Sequence, residues 1–229
     1  FIDKSNHPSR LQFWIHCPSE QHKGMSMTST SQNNMITEHD FLNISGTQSD
    51  AYDFKKARLG IIGGSGLYKL ENLKNIVKIS LDTPYGKPSD DLLIGNLHGI
   101  EIVFLARHGE HHSLNPSEIP YEANIWAMRQ LNVRWLISAS AVGSLKQNIK
   151  PCDIVIPDQF IDRTHQRPLT FFKNGVVAHI SMANPFCEIL SQILSQEIEK
   201  LLTKDKQLHL GGTYLAMEGP AFSTRAESN

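Results

Sequence analysis

The sequence predicts an α/β fold, because strand patterns alternate with helical patterns along most of the chain. Short apolar runs end in glycine or polar residues, which is typical of buried strands that turn into loops. Two longer segments between them carry apolar residues at helical spacing. The composition agrees with a globular domain, since 40% of the 229 residues are hydrophobic and 20% are charged.

The predicted strands are apolar runs of four to nine residues that are bounded by turn-forming or charged residues. His98 and Gly99 predict a turn between two of them. The strands cover residues 59–62, 76–81, 91–97, 101–106, 135–139, 153–161 and 213–217.

Two helices are predicted. Pro120 suits the first turn of a helix that continues to about Leu131, with an apolar face formed by Tyr121, Ile125, Met128 and Leu131. The second helix is predicted to begin with Asn184 as its cap and Pro185 in its first turn. Its apolar stripe consists of Phe186, Leu190, Ile193, Leu194, Ile198 and Leu201.

Residues 1–56 differ from the rest of the chain. They are rich in Ser, Thr, Asn, Gln and His and have no sustained helical or strand period. We therefore predict a disordered or poorly ordered extension, followed by one domain over residues 57–229.

Charge and cysteine content narrow the functional classes. The formal charge of −1 gives no indication of a nucleic-acid or membrane surface, and no apolar run has transmembrane length. Cys17, Cys152 and Cys187 are too widely spaced for a disulfide framework or a zinc motif. We expect a reducing compartment, namely the cytoplasm and also the nucleus.

A glycine-rich loop ends the first strand after residue 57. Residues 63–66 read Gly-Gly-Ser-Gly, which offers backbone N–H groups and the Ser65 hydroxyl to an anion. The loop matches neither the Walker A motif nor the dinucleotide fingerprint. A simple tight turn remains open as the alternative.

Arg107 and His108 follow the strand that ends at residue 106. An arginine at the end of a buried strand requires an anionic partner, which is either a local carboxylate such as Glu110 or a bound phosphate. His108, His111 and His112 do not have the spacing of a metal-binding motif, so we predict no metal site.

Two further segments carry candidate binding residues. Ser140 and Ala141 follow an apolar strand and offer a hydroxyl and a backbone N–H to an anion, or form an ordinary strand-end turn. After the Gly219-Pro220 bend, the Phe222 ring offers a stacking surface for a flat heterocycle, or packs in the core. No nucleophile elbow is present.

In their order and spacing, these motifs resemble the 5′-methylthioadenosine phosphorylases of the purine nucleoside phosphorylase superfamily. Their sequences resemble those of eukaryotic, and especially fungal, members. The resemblance implies a phosphorylase/hydrolase-like three-layer sandwich, with a mixed central sheet flanked by helices and lacking its C-terminal part. The motifs that carry it occupy residues 60–67, 83–89, 106–109, 124–127, 140–145, 158–164 and 218–228.

The resemblance implies a role for each candidate residue. Phosphate is held by Ser65, Arg107, His108, Ser140 and Ala141. Phe222 stacks on the purine, and Ser223 lies in the same loop and contacts the base or ribose. His179 matches a histidine that reaches the 5′-substituent pocket of a neighbouring subunit, so the resemblance implies a homotrimer.

The implied reaction is phosphorolysis of S-methyl-5′-thioadenosine to adenine and 5-methylthioribose 1-phosphate, a transferase step in purine and methionine salvage. Inorganic phosphate is a co-substrate, and no metal or organic cofactor is implied. The partners implied are the nucleoside and phosphate, with no nucleic acid and no membrane.

The resemblance is incomplete. The family's Asn-Met-Thr-like segment and its purine-contacting aspartate are expected beyond Asn229, so no catalytic residue is assigned. Ala221 stands where some members carry a larger polar residue. Two alternatives stay open: a nucleoside phosphorylase for 6-oxopurines, and a truncated subunit without catalysis.

Overall fold

A computed structural model describes residues 11–16, 58–64 and 73–229. These residues contain strands and helices in the following order: β1 Leu11–His16, β2 Arg58–Gly63, β3 Lys74–Ile79, β4 Leu92–Leu97, β5 Ile100–Ala106, α1 Tyr121–Gln130, β6 Val133–Ala141, β7 Ile154–Ile156, β8 Gln159–Arg163, α2 Glu188–Leu201, β9 Leu208–Leu210, β10 Thr213–Met217 and α3 Arg225–Ser228.

Eight strands form one mixed sheet in the order β3-β4-β5-β2-β6-β1-β7-β9, and β10 pairs with β8 in a second sheet. The central strands β5, β2 and β6 are parallel neighbours, whereas β3 and β4 join antiparallel at one edge. The predicted α/β class with a mixed central sheet is confirmed. Because β5, β2 and β6 run in one direction, their carboxyl ends meet at the same edge.

The main core lies between the central strands and α1. Met128 and Ala127 of α1 pack with Val103 and Leu105 of β5, and Leu131 closes the helix end. The predicted helix is confirmed, and so is the burial of Met128 and Leu131 from its predicted apolar face, but the rest of the buried face is different. Ala123 and Asn124 are buried, whereas Ile125 is 41% exposed, because the helix inserts its small residues against the sheet.

The strand β1 lies within residues 1–56, the segment predicted to be a disordered or poorly ordered extension, and for that segment as a whole this stays a prediction. Leu11–His16 pairs antiparallel with β6 and parallel with β7, so it occupies an interior position in the sheet. A strand between two neighbours satisfies its backbone N–H and C=O groups on both sides. Residues 1–10 and 17–57 lie outside the described residues.

Residues 153–161 form two strands, not the single strand that was predicted. β7 pairs with β1 and β9 in the large sheet, whereas β8 pairs with β10 in the small one. The buried Pro157 lies between them. Proline cannot donate a ladder hydrogen bond, so the first strand ends there and the chain passes to the other sheet.

The helix α2 begins three residues later than predicted. Its cap is Cys187, whose Sγ accepts a 3.5 Å hydrogen bond from the N–H of Leu190, and neither Asn184 nor Pro185 is helical. Part of the predicted stripe is confirmed, because Leu190, Leu194 and Ile198 pack on Ile156, Cys187 and each other. Ile193 and Leu201, by contrast, are exposed.

Two short elements were not predicted. β9 has only three residues, and α3 has four, with a capping box between Thr224 and Glu227. Within residues 11–16, 58–64 and 73–229, none of the helices has the length and apolar character needed to cross a membrane.

Candidate active site

The carboxyl ends of three neighbouring strands bring the candidate anion-binding segments together. Gly63 ends β2, Arg107 follows β5, and Ala141 ends β6. The N–H of Arg107 donates a 2.9 Å hydrogen bond to the carbonyl of Gly63, which extends the β2–β5 ladder by one step. The ladder therefore fixes the backbone from which the Arg107 side chain projects.

The Arg107 guanidinium is partly buried and is left open to an anion. Nη1 lies 3.5 Å from the carbonyl of Ala139, and Nε lies 3.4 Å from Nε2 of His108. Among the residues that the structure describes, no carboxylate forms an ion pair with Arg107, so Glu110 is not its partner. A Cβ built on Gly64 would lie 4.0 Å from Nη2, so the glycine keeps the space beside the guanidinium free.

Burial and neighbouring side chains shift the pKa of Arg107. Burial lowers the pKa of Arg107 below its ordinary value, and the neighbouring Arg167 guanidinium lowers it further, whereas Tyr214 and Tyr121 raise it. Two guanidinium groups therefore lie within electrostatic range of one another. An oxyanion bound beside Arg107 would offset the desolvation of its guanidinium.

His108 is held as a neutral ring. Its Nδ1 lies 2.8 Å from the carbonyl of Leu114, which can only accept, so the proton is assigned to Nδ1. Nε2 then accepts from Nε of Arg107. Burial lowers the pKa of His108, opposed by the bond to Leu114, and Arg107 and His112 lower it further.

The turn over residues 83–89 supports the end of β5. Ser89 Oγ donates a 2.6 Å hydrogen bond to the carbonyl of Ala106, and the N–H of Ser89 donates to the buried Asn124 side chain at 2.8 Å. A Cβ on Gly109, which has a φ of +75°, would lie 3.3 Å from the carbonyl of Ser89. The resemblance motifs at 83–89, 106–109 and 124–127 thus form one supporting structure.

Two of the predicted phosphate ligands lie within a strand, whereas Arg107 lies just after one. Ser140 and Ala141 are the last two residues of β6 rather than part of a loop, and they pair with Gln12 and Leu11 of β1. Ser140 is half-buried and Ala141 is exposed. Ser65 lies outside the described residues, two positions after the end of β2.

Four side chains that the sequence reasoning missed surround the guanidinium of Arg107 or that of its neighbour Arg167. Tyr121 begins α1, and Arg167 lies over its ring at 4.5 Å. Tyr214 belongs to β10, and burial raises its pKa, opposed by Arg107 and Arg167. Glu218 pairs with Arg167 at 3.6 Å. Their contacts span more than 40 residues of sequence, so no local motif could have assembled them.

The predicted substrate-binding residues lie on exposed segments. Phe222 is 94% exposed, so its interpretation as a core aromatic is wrong. Ser223 Oγ lies 2.8 Å from Ser228 Oγ. His179 belongs to an exposed segment without helix or strand, and within the described part of the chain no contact joins it to Arg107.

The histidines near Arg107 do not gather into a metal site. His108 and His112 stack at 4.5 Å between ring centroids, while His111 is exposed. In the described ranges, no group of three or more His, Cys, Asp or Glu side chains is arranged to hold a metal ion.

The parallel strand ends, the glycines at positions 63 and 64 and the partly buried arginine are the features of an anion-binding α/β domain. The family model of the phosphorylase superfamily matches residues 58–229, and the chain belongs to this superfamily. The relatives compared below are all methylthioadenosine phosphorylases by name, which confirms the resemblance found in the sequence.

Three relatives illustrate the similarity. The S-methyl-5′-thioadenosine phosphorylase of Prochlorococcus marinus is 66% identical over 174 residues, which cover 76% of this chain and 55% of the relative. The crystal structure of a methylthioadenosine phosphorylase from an Antarctic soil metagenomic library has a TM-score of 0.71 and 50% identity, covering 75% of this chain and 60% of that one. The Schistosoma mansoni methylthioadenosine phosphorylase in complex with adenine has a TM-score of 0.65 and 35% identity, covering 76% of this chain and 69% of that one.

The comparisons define how far the similarity extends. The chain spans about half the length of the curated relatives it matches. Identity is higher with the Prochlorococcus protein than with the Schistosoma protein, and the eukaryotic, fungal-like character of the resemblance stays a prediction.

Proposed function

We propose that the protein catalyses phosphorolysis of S-methyl-5′-thioadenosine, giving adenine and 5-methylthioribose 1-phosphate. Eight curated relatives with this name share between 51% and 66% identity with the chain, and the superfamily match covers residues 58–229. Inorganic phosphate is the co-substrate, and no organic cofactor or metal takes part.

The observation that carries the proposal is the environment of Arg107. Its guanidinium is partly buried at the strand edge, beside Gly64 and without a carboxylate ion pair among the described residues. A dianionic phosphate satisfies this group through charge-assisted hydrogen bonds, which a planar guanidinium makes in pairs. The Ser140 hydroxyl and the Ser65 hydroxyl complete the phosphate site in this proposal.

In the proposed reaction, a phosphate oxygen forms the new bond to the anomeric carbon of the ribose. The bond between that carbon and the purine nitrogen breaks, and the electron pair and a proton leave with adenine. The transition state has oxocarbenium character, so the caged phosphate is both nucleophile and counter-charge. Arg107 therefore contributes by orientation of the phosphate and not by proton transfer.

The nucleoside binds against the loop that follows β10. We assign Phe222 to stacking on adenine, because its ring is exposed and a flat heterocycle stacks favourably on such a face. Ser223 contacts the base or the ribose. His179 serves the 5′-methylthio pocket of a neighbouring subunit.

Adenine release from S-methyl-5′-thioadenosine, measured with and without phosphate, tests the proposed reaction. We expect release that requires phosphate, and little turnover of inosine or guanosine under the same conditions. The assay is run on this chain. Release at the same rate without phosphate would contradict phosphorolysis, and a preference for inosine would favour a 6-oxopurine nucleoside phosphorylase.

The proposed assembly is a homotrimer, and the segment around His179 supports it. This segment exposes large apolar side chains to solvent, including Leu169, Val177 and Ile180, the last two being 79% and 66% exposed. Monomeric proteins rarely expose so many neighbouring apolar side chains, and a second copy of the chain covers them in the proposal.

Light scattering tests the assembly. We expect a particle of three times the chain mass, and we expect Val177→Asp to shift it towards monomer, because a carboxylate is costly to bury in an interface. Lys204→Asp, on an exposed turn outside this segment, is the matched control and should leave the mass unchanged. A monomeric wild-type protein would contradict the proposal.

A further inference from the structure

Arg167 and Glu218 are brought together by the small parallel sheet. Arg163, the last residue of β8, pairs with Met217, the last residue of β10. Glu218 follows β10 directly, and Arg167 lies four residues beyond β8. The two segments that leave this sheet therefore begin side by side.

Glu218 is joined to the neighbouring segment at several points. Its Oε2 accepts hydrogen bonds from the backbone N–H groups of His165 and Gln166. Nη2 of Arg167 donates a 3.1 Å hydrogen bond to the carbonyl of Glu218, and Nε of Arg167 lies 3.6 Å from Oε1. The backbone bonds from His165 and Gln166 lower the pKa of Glu218, so it is a carboxylate at neutral pH.

Arg167 also contacts the helix side of the site. Its guanidinium carbon lies 4.5 Å from the centroid of the Tyr121 ring, a cation–π distance, and the Tyr121 hydroxyl donates a 2.9 Å hydrogen bond to the carbonyl of Pro116. Ser117 Oγ, from the same turn, lies 3.5 Å from the carbonyl of Gly219. Arg167 thus connects the start of α1, the segment after β8 and the segment after β10.

The loop that begins at Glu218 has few anchors of its own. Every residue from 220 to 227 is exposed, so no buried apolar side chain fixes the loop position. The loop nevertheless carries Phe222 and Ser223. Its position relative to Arg107 depends on the attachment at its first residue, which is the Arg167–Glu218 pair.

We propose that Arg167 is a positioning residue that, paired with Glu218, fixes the loop bearing Phe222 and Ser223 against the anion site, and so controls nucleoside affinity. This inference rests on the proposed function for its kinetic meaning. Arg167 touches no substrate atom in the proposal and acts through the loop.

Kinetics of Arg167→Gln and Glu218→Gln form the first test. We expect the KM for the nucleoside to rise about tenfold, with the KM for phosphate changed less than about twofold, because only the purine side loses its support. Arg167→Lys keeps the charge without the planar fork and should restore part of the affinity. The KM for the nucleoside of the double variant should be no higher than that of the more impaired single variant, since both changes break the same pair.

Amide hydrogen exchange of the same variants is the second test, and it needs no turnover. We expect faster exchange of residues 218–228 in Arg167→Gln and Glu218→Gln, with the central strands β2 and β5 unchanged. Arg134→Gln, an exposed arginine on β6, is the control and should alter neither measurement.

The two tests separate failure of this inference from failure of the proposed function. A wild-type protein without phosphate-dependent adenine release contradicts the proposed function, while the exchange of residues 218–228 still decides the positioning role. Unchanged loop exchange, faster exchange throughout the sheet, or an equal rise in both KM values would overturn the inference.

Discussion

Arg107 is a cation that the fold holds partly buried at the end of β5. Its partners among the described residues are a carbonyl, a neutral histidine and two tyrosines, and a second arginine lies nearby. Burial of a charge is unfavourable without a counter-ion. The residue therefore makes physical sense as one half of an ion pair whose other half is a bound anion.

Replacement of Arg107 tests this directly. Arg107→Ala should raise the KM for phosphate by about 10- to 100-fold, since a charge-assisted hydrogen bond contributes about 1.5–3 kcal/mol. The KM for phosphate of Arg107→Lys should lie between the values of the wild-type protein and Arg107→Ala, because lysine keeps the charge but not the paired donors. Steady-state kinetics at varied phosphate gives the values, and an unchanged KM for phosphate in Arg107→Ala would remove Arg107 from the site.

Asp153 is a second residue whose charge is stabilised by neighbouring hydrogen-bond donors. It is 1% exposed and accepts hydrogen bonds from the N–H of Lys150 at 2.8 Å, the N–H of Gln207 at 3.1 Å and Nε2 of His209 at 2.9 Å. Burial by itself raises the pKa of Asp153, but the bonds from His209 and the two backbone groups outweigh it and lower the pKa below 3.8.

Asp153→Asn should lower the free energy of unfolding at pH 7 by about 1–3 kcal/mol, because one buried donor loses its acceptor. The folded-state pKa lies below the unfolded one, so the stabilisation is complete above pH 3.8 and is lost as pH falls through the folded value. Urea denaturation between pH 7 and pH 3 should thus show a smaller decrease in the free energy of unfolding for Asp153→Asn than for the wild-type protein. The exposed Asp82→Asn is the control, and equal acid slopes in wild type and Asp153→Asn would contradict the assignment.

At the scale of elements, β2 is central because it separates β5 from β6 and lies under α1. Gly60 permits this close packing. A Cβ at this position would lie 2.7 Å from Val133 Cγ1, 2.9 Å from Leu136 Cδ1 and 3.2 Å from Met128 Sδ. The contact between β2, β6 and α1 therefore depends on the absence of a side chain.

Gly60→Ala should destabilise the protein by about 1–3 kcal/mol, the range for overpacking in a core. Gly143→Ala is the matched control, because its Cβ would meet nothing within 4 Å. Thermal unfolding of both variants measures the difference. Equal melting temperatures for Gly60→Ala and the wild-type protein would show that β2 and α1 pack less closely than described.

Several elements were predictable because their signals are local. The strands that end at Gly63 and Ala106 were predicted from apolar runs followed by turn residues, and parallel pairing then brings Gly63 and Arg107 to one edge. Thr213–Met217 was predicted with its observed bounds. The α1 helix was predicted from Pro120 and its apolar spacing.

Other elements depend on interactions that a sequence pattern does not contain. The division of residues 153–161 at Pro157 reflects a change of sheet, and the start of α2 at Cys187 reflects burial of that side chain in the Ile156 cluster. β1 is stabilised as a strand by partners more than 100 residues away. The Arg167–Glu218 pair likewise exists only because β8 and β10 are neighbours.

At the scale of the whole molecule, the anion site and the loop of residues 218–228 extend from different sheets. Arg107 is fixed by the large sheet through Gly63, whereas Phe222 and Ser223 leave from the small sheet after β10. The Arg167 guanidinium, between Tyr121 and Glu218, connects the start of α1 with that loop. The proposed reaction transfers the ribosyl group of a nucleoside to phosphate and releases the base, so it requires both substrates to be held together.

The central claim is that phosphate itself becomes part of the sugar product. Phosphorus NMR of the protein with S-methyl-5′-thioadenosine and inorganic phosphate measures this directly. Phosphorolysis predicts a new phosphate-ester signal that grows in step with free adenine, while inorganic phosphate declines by the same amount. Adenine release with the phosphate signal unchanged would identify a hydrolase and contradict phosphorolysis.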